Sequence, residues 1–354
     1  MTRIAVIPGD GVGPEVVPEG LRCLEAAGLS LDVETFDWGC SRLELRGAMM
    51  PDDALHTLAR FDAIYLGAVG WPTVPDHVSL WGLLLPIRKH FDLFVNLRPV
   101  RLLPGVQTPL TGRPESDIDM LFLRENTEGE YSGAGGSVHV GTPDEVAVEA
   151  AIFTRRRISE LARIAFEHAR ARQSRLVSIT KSNASRYGYV LWDSAVSDVA
   201  GQFPDVEVER MHVDAMAARM VLNPASIDVV VASNLFGDIL TDLGAALQGG
   251  VGLAASANLD PTRRHPSMFE PVHGSAPDIA GKGIANPIGA IWAAALMAEH
   301  TGHPDAGASI LGALEEVTTD RRLLTRDLGG QASTKELGMT VAAAVRASAR
   351  AAAT

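Results

Sequence analysis

The sequence predicts an α/β fold in which helices connect the strands of a sheet. Short apolar runs bounded by turn residues alternate with segments of helical periodicity. The clearest helix follows Thr154, where apolar residues recur at helical spacing from Ile158 to Phe166 behind a threonine N-cap. The predicted strands cover residues 3–7, 31–36, 63–66, 120–123, 176–180, 206–212 and 228–232.

Length and charge limit the possible functions. A chain of 354 residues is long enough for about two domains. Its 46% hydrophobic content excludes a disordered protein. The net charge of −12, from 31 basic and 43 acidic residues, argues against a nucleic-acid partner, which requires clustered positive charge.

Cysteine content and apolar runs predict the compartment. Cys23 and Cys40 cannot form a disulfide framework or a four-ligand zinc site, which favours a reduced, cytoplasmic setting. No apolar run approaches the roughly 18 residues of a membrane span, and the N-terminal segment does not have the pattern of a signal peptide. We therefore expect no membrane association.

A glycine-rich turn, residues 9–15 (GDGVGPE), follows the first strand and opens a helix at Pro14. It is similar to a dinucleotide-binding fingerprint, but Pro14 replaces the third glycine. Glu34 and Asp37 are the only candidates for the acidic residue that should end the second strand. A tight turn required by geometry is the favoured reading of this motif.

Three arginines lie at predicted element ends. Arg88 and Arg98 are ten residues apart across a helix-to-strand transition, and Arg124 ends a later strand. A guanidinium offers paired donors that match the two oxygens of a carboxylate, so the three could bind an acidic substrate. Solvated surface arginines are the alternative.

Asp238 and Asp242 are four residues apart, on one face of a helix that follows the strand 228–232. Two such carboxylates repel each other unless a cation lies between them. Oxygen ligands would select Mg²⁺ or Mn²⁺ over zinc. The alternative is that both carboxylates only interact favourably with the positive end of the helix dipole.

Two further residues could handle protons. Tyr131 precedes a glycine-rich segment, residues 133–141, whose alternating Val138 and Val140 predict an extended arm. Lys181 ends a strand, which is where ligands bind in α/β folds. Tyrosine and lysine can give or take a proton near a metal, although packing and solvation are the commoner roles of such residues.

Residues 270–287 (EPVHGSAPDIAGKGIANP) are unusually rich in glycine and proline and include Ser275 and His273. Packing of a purely structural loop rarely requires this composition, so we expect a loop wrapped around a polar ligand.

Taken together, these segments resemble the metal-dependent β-decarboxylating dehydrogenases of 2-hydroxy acids, a family that includes isopropylmalate, isocitrate, homoisocitrate, tartrate and D-malate dehydrogenases. The resemblance covers essentially the whole chain. Its motifs are residues 7–15, Arg88, Arg98, residues 124–131, residues 213–216, and the segments around Asp238 and His273.

The resemblance implies an isopropylmalate-dehydrogenase-like, non-Rossmann fold of two α/β domains around a central cleft. Residues 1–95 with 250–354 would form a cofactor-binding domain, and residues 96–249 a substrate, metal and dimerisation domain with an arm near 130–145. The implied cofactor residues are Gly67, Ala68, Val69, Glu270, His273, Gly274, Ser275, Ala276, Asp278, Ile279 and Asn286. The implied assembly is a homodimer with shared active sites.

The resemblance also assigns roles. Arg88, Arg98 and Arg124 would hold substrate carboxylates, and Trp81 and Leu84 would line the substrate pocket. Asp238, Asp242 and the partner's Asp214 would bind Mn²⁺ or Mg²⁺, whereas a K⁺ requirement stays open. Lys181 and Asp214 would reach into the partner's active site as catalytic residues. Lys181 would relay the substrate hydroxyl proton there, and Tyr131 would protonate the enol. Asp278 favours NAD because its carboxylate would repel the 2′-phosphate of NADP.

Substrate choice rests on the segment before Arg88. Gly82 and Leu84 replace the serine and asparagine with which isocitrate enzymes bind a third carboxylate. Trp81 resembles the residue of the tartrate and D-malate branch at this position, and its bulk suits a small C3 substituent. Pro86 departs from the pattern of that branch. The alternatives are a 3-isopropylmalate dehydrogenase and, from another class, a catalytically silent regulatory subunit.

Overall fold

The computed structural model describes residues 1–352. Its strands are β1 (Thr2–Gly9), β2 (Leu31–Thr35), β3 (Ala63–Ala68), β4 (Val95–Arg101), β5 (Asp119–Glu125), β6 (Gly129–Val138), β7 (Val146–Ile152), β8 (Arg175–Thr180), β9 (Glu207–His212), β10 (Val229–Ala232), β11 (Ala255–Leu259) and β12 (Ser267–Pro271). Its α-helices are α1 (Gly13–Ala26), α2 (Cys40–Arg46), α3 (Ala54–Leu58), α4 (Asp76–Ser79), α5 (Leu85–His90), α6 (Arg155–Ala171), α7 (Gly188–Ala200), α8 (Val213–Leu222), α9 (Asn234–Leu247), α10 (Ile288–His300), α11 (Pro304–Thr318) and α12 (Thr334–Ala352).

The α/β prediction is confirmed, and each of the seven predicted strands is present within about two residues of its expected bounds. Strands β4, β7, β11 and β12 were not predicted, and β6 was expected only as part of the extended arm. Strand β11 consists mainly of alanine, serine and asparagine, which have low β-propensity, and β4 contains a proline and two arginines. These strands form because their neighbours cover them, which their own residue types do not reveal.

The chain divides into two compact units. The first unit comprises Met1–Leu93, Arg101–Glu115 and the chain from Ala245 onward, and the second comprises Phe94–Val100 and Ser116–Gly244. The functions that the sequence analysis assigns to its two predicted domains stay predictions.

In the first unit the strand order is β2-β1-β3-β12-β11. All neighbours are parallel except the antiparallel pair β11 and β12. Strand β3 is buried along its whole length, as expected for a parallel strand covered on both faces. Gly9 pairs with Ala68 at the carboxyl ends of β1 and β3, which brings the glycine-rich turn next to Gly67, Ala68 and Val69.

In the second unit the strand order is β4-β5-β10-β8-β9, and the pairs β5–β10, β10–β8 and β8–β9 are parallel. Helix α6 begins as predicted, because the Thr154 hydroxyl accepts a hydrogen bond from the Arg157 backbone N–H. The apolar face of α6 is buried.

The predicted arm is an antiparallel hairpin of β6 and β7. Its strands expose Val138, Val146 and Val148, and the turn between them exposes Val140. Within residues 1–352, no helix is long and apolar enough to cross a membrane.

Candidate active site

In the second unit, the Asp238 carboxylate contacts two buried arginines and a tyrosine. Arg98 reaches it from β4 and Arg124 from β5, and only 2% of Arg124 is exposed. The Arg98 guanidinium lies 3.5 Å from Asp238 Oδ1, and the Arg124 guanidinium pairs with the same oxygen. The Tyr131 hydroxyl donates to Asp238 Oδ2 at 2.8 Å. We call Arg98, Arg124, Tyr131 and Asp238 the carboxylate cluster.

Backbone and polar neighbours fix the Arg124 side chain. A Cβ on Gly237 would lie 2.5 Å from the Arg124 side chain, so glycine is needed for α9 to approach β5. The side-chain oxygen of Asn234, at the start of α9, accepts hydrogen bonds from Arg124 Nε and Nη2 at 3.1 and 2.7 Å. No sequence motif points to Asn234, although it closely follows a buried strand.

Asp242 lies one helical turn beyond Asp238 on α9. Partial burial, and then the negative charge of Asp238, raise the pKa of the Asp242 carboxyl above its ordinary value. A divalent cation would relieve this repulsion, and two carboxylates are the hard oxygen ligands that Mg²⁺ and Mn²⁺ prefer. The residues therefore fit such an ion. Within residues 1–352 of one chain, no three acidic, histidine or cysteine side chains form a metal-binding group.

Lys181 and Asp214, also in the second unit, form a separate pair. The Lys181 ammonium lies 2.9 Å from Asp214 Oδ2, and 69% of the Asp214 side chain is exposed. The hydrogen bond from Lys181 lowers the pKa of the Asp214 carboxyl. Both side chains are thus paired and accessible on the same chain.

In the first unit, Arg88 forms a buried ion pair with Glu270 at 2.8 Å. Glu270 Oε1 also accepts a hydrogen bond from Asn258 Nδ2 at 2.8 Å. Burial of a guanidinium requires such a partner. Glu270, which the resemblance places among the cofactor residues, is thus the counter-ion of Arg88.

The segment before Arg88 contains a π-helical turn, Leu80–Leu84, between α4 and α5. The Leu85 backbone N–H donates to Leu80 five residues earlier. Pro86 provides the physical reason, because a proline has no N–H and its ring would clash with the Gly82 carbonyl in a regular α-helix. Trp81 in this turn is 42% exposed, and the Lys89 ammonium lies 4.2 Å from the centre of its indole ring.

A largely apolar cavity of about 400 Å³ lies in the first unit. The residues that line it include Val12, His273, Ala276, Ile279 and Asn286. His273 Nε2 is buried and has no hydrogen-bond partner among the described residues, and burial lowers the pKa of the imidazole. A flat ring with polar edge atoms, such as a nucleotide base, suits this cavity and would satisfy that nitrogen.

The loop at this cavity is held by the glycine-rich turn. A Cβ on Gly11 would lie 1.9 Å from the Ser275 carbonyl oxygen, and Gly11 has a φ of +58°. The Glu15 carboxylate accepts hydrogen bonds from the backbone N–H groups of Gly281 and Gly283 at 2.6 and 2.7 Å. This close backbone packing agrees with the tight-turn reading of residues 9–15.

Two residues that support this loop carried no prediction. Glu15 belongs to the motif, but its partners lie 266 and 268 residues away in the chain. Asp327 accepts a hydrogen bond from Asn286 Nδ2 at 2.9 Å. Neither contact leaves a local pattern in the sequence.

The family model described as isocitrate/isopropylmalate dehydrogenase matches residues 3–341. The chain belongs to this family and is therefore an enzyme of the dehydrogenase class. This confirms the family resemblance and the isopropylmalate-dehydrogenase-like fold.

Individual relatives agree with the family assignment. The chain is 52% identical to a D-malate dehydrogenase (decarboxylating) of Escherichia coli, with 95% of this chain and 96% of the relative covered. It is 51% identical to a probable tartrate dehydrogenase/decarboxylase of Agrobacterium vitis, with 98% of each covered. A crystal structure of isocitrate dehydrogenase from Methylococcus capsulatus matches with a TM-score of 0.90 at 36% identity, over 98% of this chain and 100% of the other.

We expect Glu15→Ala to loosen the loop without unfolding the chain. The two backbone N–H groups lose charged acceptors worth about 1.5–3 kcal/mol each, so the amides of Gly281 and Gly283 should exchange hydrogen at least about tenfold faster. Hydrogen exchange followed by mass spectrometry measures this. Glu25→Ala, an exposed glutamate on the same helix, is the control. Equal exchange in wild type and Glu15→Ala would contradict the assigned role.

Proposed function

We propose that the chain catalyses NAD-dependent oxidative decarboxylation of a small 2-hydroxy dicarboxylic acid, D-malate or tartrate. The observation that carries this proposal is the carboxylate cluster, in which two buried guanidiniums, a tyrosine hydroxyl and an aspartate meet. The names of relatives about half identical to this chain support the substrate class.

The arginines would bind the substrate carboxylates. Arg98 and Arg124 share one carboxylate, Asp238, so they are already arranged around a carboxylate-sized anion. In the proposed complex, the substrate takes the place of Asp238 at these guanidiniums. The family resemblance gives Arg88, whose side chain Glu270 holds within the first unit, the same role toward a substrate carboxylate.

Asp238 and Asp242, with the partner's Asp214, would hold Mg²⁺ or Mn²⁺. When bound, the ion would lower the pKa of the substrate hydroxyl and stabilise negative charge on the oxygen. Asp238 would exchange its guanidinium partners for the cation while the substrate takes those partners. Metal and substrate binding would therefore favour each other.

Lys181 and Tyr131 would move the protons. Lys181 would relay the hydroxyl proton in the partner's active site during oxidation, with Asp214 of the same chain orienting its ammonium at 2.9 Å. Tyr131 would donate its hydroxyl proton to C3 after loss of CO₂. Asp238 accepts a hydrogen bond from that hydroxyl and so orients it.

The first unit would bind NAD. The cavity at His273 would take the adenine ring, and Gly67, Ala68 and Val69 at the end of β3 would contact the cofactor together with Gly274, Ser275 and Asn286. The exposed Asp278 would accept hydrogen bonds from the ribose hydroxyls and repel a 2′-phosphate. Ile279 would line the same cavity.

We also propose a homodimer with shared active sites. The exposed valines of the β6–β7 hairpin offer an apolar surface that a second copy could cover. Lys181 and Asp214 are paired and accessible, as residues delivered to the partner's site would be.

The substrate prediction is tested by comparing D-malate, tartrate and 3-isopropylmalate with NAD and Mn²⁺. We expect kcat/KM for D-malate or tartrate to exceed that for 3-isopropylmalate by at least about tenfold, because Trp81 limits the space at C3. A tenfold preference for 3-isopropylmalate would favour the alternative dehydrogenase. Failure to form NADH with all three would favour a silent regulatory subunit.

We expect Lys181→Met to abolish oxidation of D-malate but to retain part of the decarboxylation of oxaloacetate. Only the first reaction requires removal of a hydroxyl proton. NADH formation measures one activity and pyruvate release the other. Lys335→Met, which removes an exposed positive charge from α12, is the control. Equal loss of both activities in Lys181→Met would contradict this division.

A further inference from the structure

We infer that Lys89 is a positioning residue that sets substrate selectivity by holding the Trp81 indole in place. This inference rests on the proposed function, in which Trp81 lines the substrate pocket. The new element is the interaction that keeps the Trp81 indole in one position at the edge of that pocket. The observation behind it is the 4.2 Å distance from Lys89 Nζ to the centre of the indole ring.

The π-helical turn makes this contact possible. Successive residues of an α-helix turn by about 100°, so residues eight apart are offset by about 80°. A π turn inserts one extra residue, and Trp81 and Lys89 then stand as residues seven apart do, within about 20° of each other. Pro86, the departure from the expected pattern, is thus the residue that aligns them.

The contact with Lys89 is expected to limit the motion of the partly exposed Trp81 ring. The side chain is 42% exposed, and among the described residues the Lys89 ammonium is the partner of its only polar or ring interaction. A cation over the face of tryptophan contributes about 0.5–1 kcal/mol at an exposed site. The Lys89 ammonium lies over one face of the indole.

A positioning role differs measurably from simple charge attraction. If Lys89 only attracted anions, its loss would lower kcat/KM for D-malate and for 3-isopropylmalate by the same factor, because both are dicarboxylates. If it holds the indole, its loss lets the ring move and favours the bulkier substrate. The ratio of the two kcat/KM values therefore separates the roles.

The experiment compares Lys89→Met, Lys89→Arg and Lys335→Met with wild type in both substrates, with NAD and Mn²⁺. We expect Lys89→Met to lower the ratio of kcat/KM for D-malate to that for 3-isopropylmalate by about two- to fivefold. Lys89→Arg should keep the wild-type ratio, because a guanidinium also stacks on an indole. Lys335→Met should leave it unchanged.

A second measurement does not need activity. The indole N–H resonance of Trp81, assigned by its loss in Trp81→Leu, should shift in Lys89→Met and keep its position in Lys335→Met. In the Trp81→Leu background, Lys89→Met should no longer change the substrate ratio.

An unchanged ratio in Lys89→Met, or an equal change in the Trp81→Leu background, would overturn the inference. So would an unmoved Trp81 resonance. If wild type oxidises neither substrate, the proposed function fails, whereas the resonance still tests whether Lys89 holds the indole.

Discussion

Two buried guanidiniums in the second unit need a counter-charge, and Asp238 supplies it. Leaving a buried charge unpaired costs several kcal/mol, and the aspartate carried by α9 pairs with both Arg98 and Arg124. Gly237 allows the approach of α9 and Asn234 fixes the second guanidinium. The same pairing orients the Tyr131 hydroxyl. Substrate binding and proton donation in the proposed reaction therefore depend on one carboxylate.

The first unit depends on a comparable constraint in its backbone. Gly11 lets the first turn touch the loop at Ser275, and Glu15 holds that loop through two amides. The motif that is similar to a dinucleotide fingerprint thus does not only line the cavity. It also holds the loop that borders the cavity at His273. The Arg88–Glu270 pair and the π-helical turn lie in the same unit.

The sequence predicted the parts of the site that follow a local period or motif. Asp238 and Asp242 share a helix face because they are four residues apart, and Arg124 lies at the end of a strand that was expected there. Asn234, Glu15 and Asp327 were missed because their partners are distant in the chain. Pro86 departs visibly from the expected sequence pattern, but the π turn that accommodates the proline cannot be inferred from composition.

In the proposed reaction, Asp238 would exchange the guanidiniums for a cation as the substrate binds. Calorimetric titration of Mn²⁺ without NAD, in the absence and presence of saturating D-malate, tests it directly. If the substrate releases Asp238 from Arg98 and Arg124, D-malate should lower the Mn²⁺ Kd by at least about tenfold. The same Kd in both titrations would contradict the account.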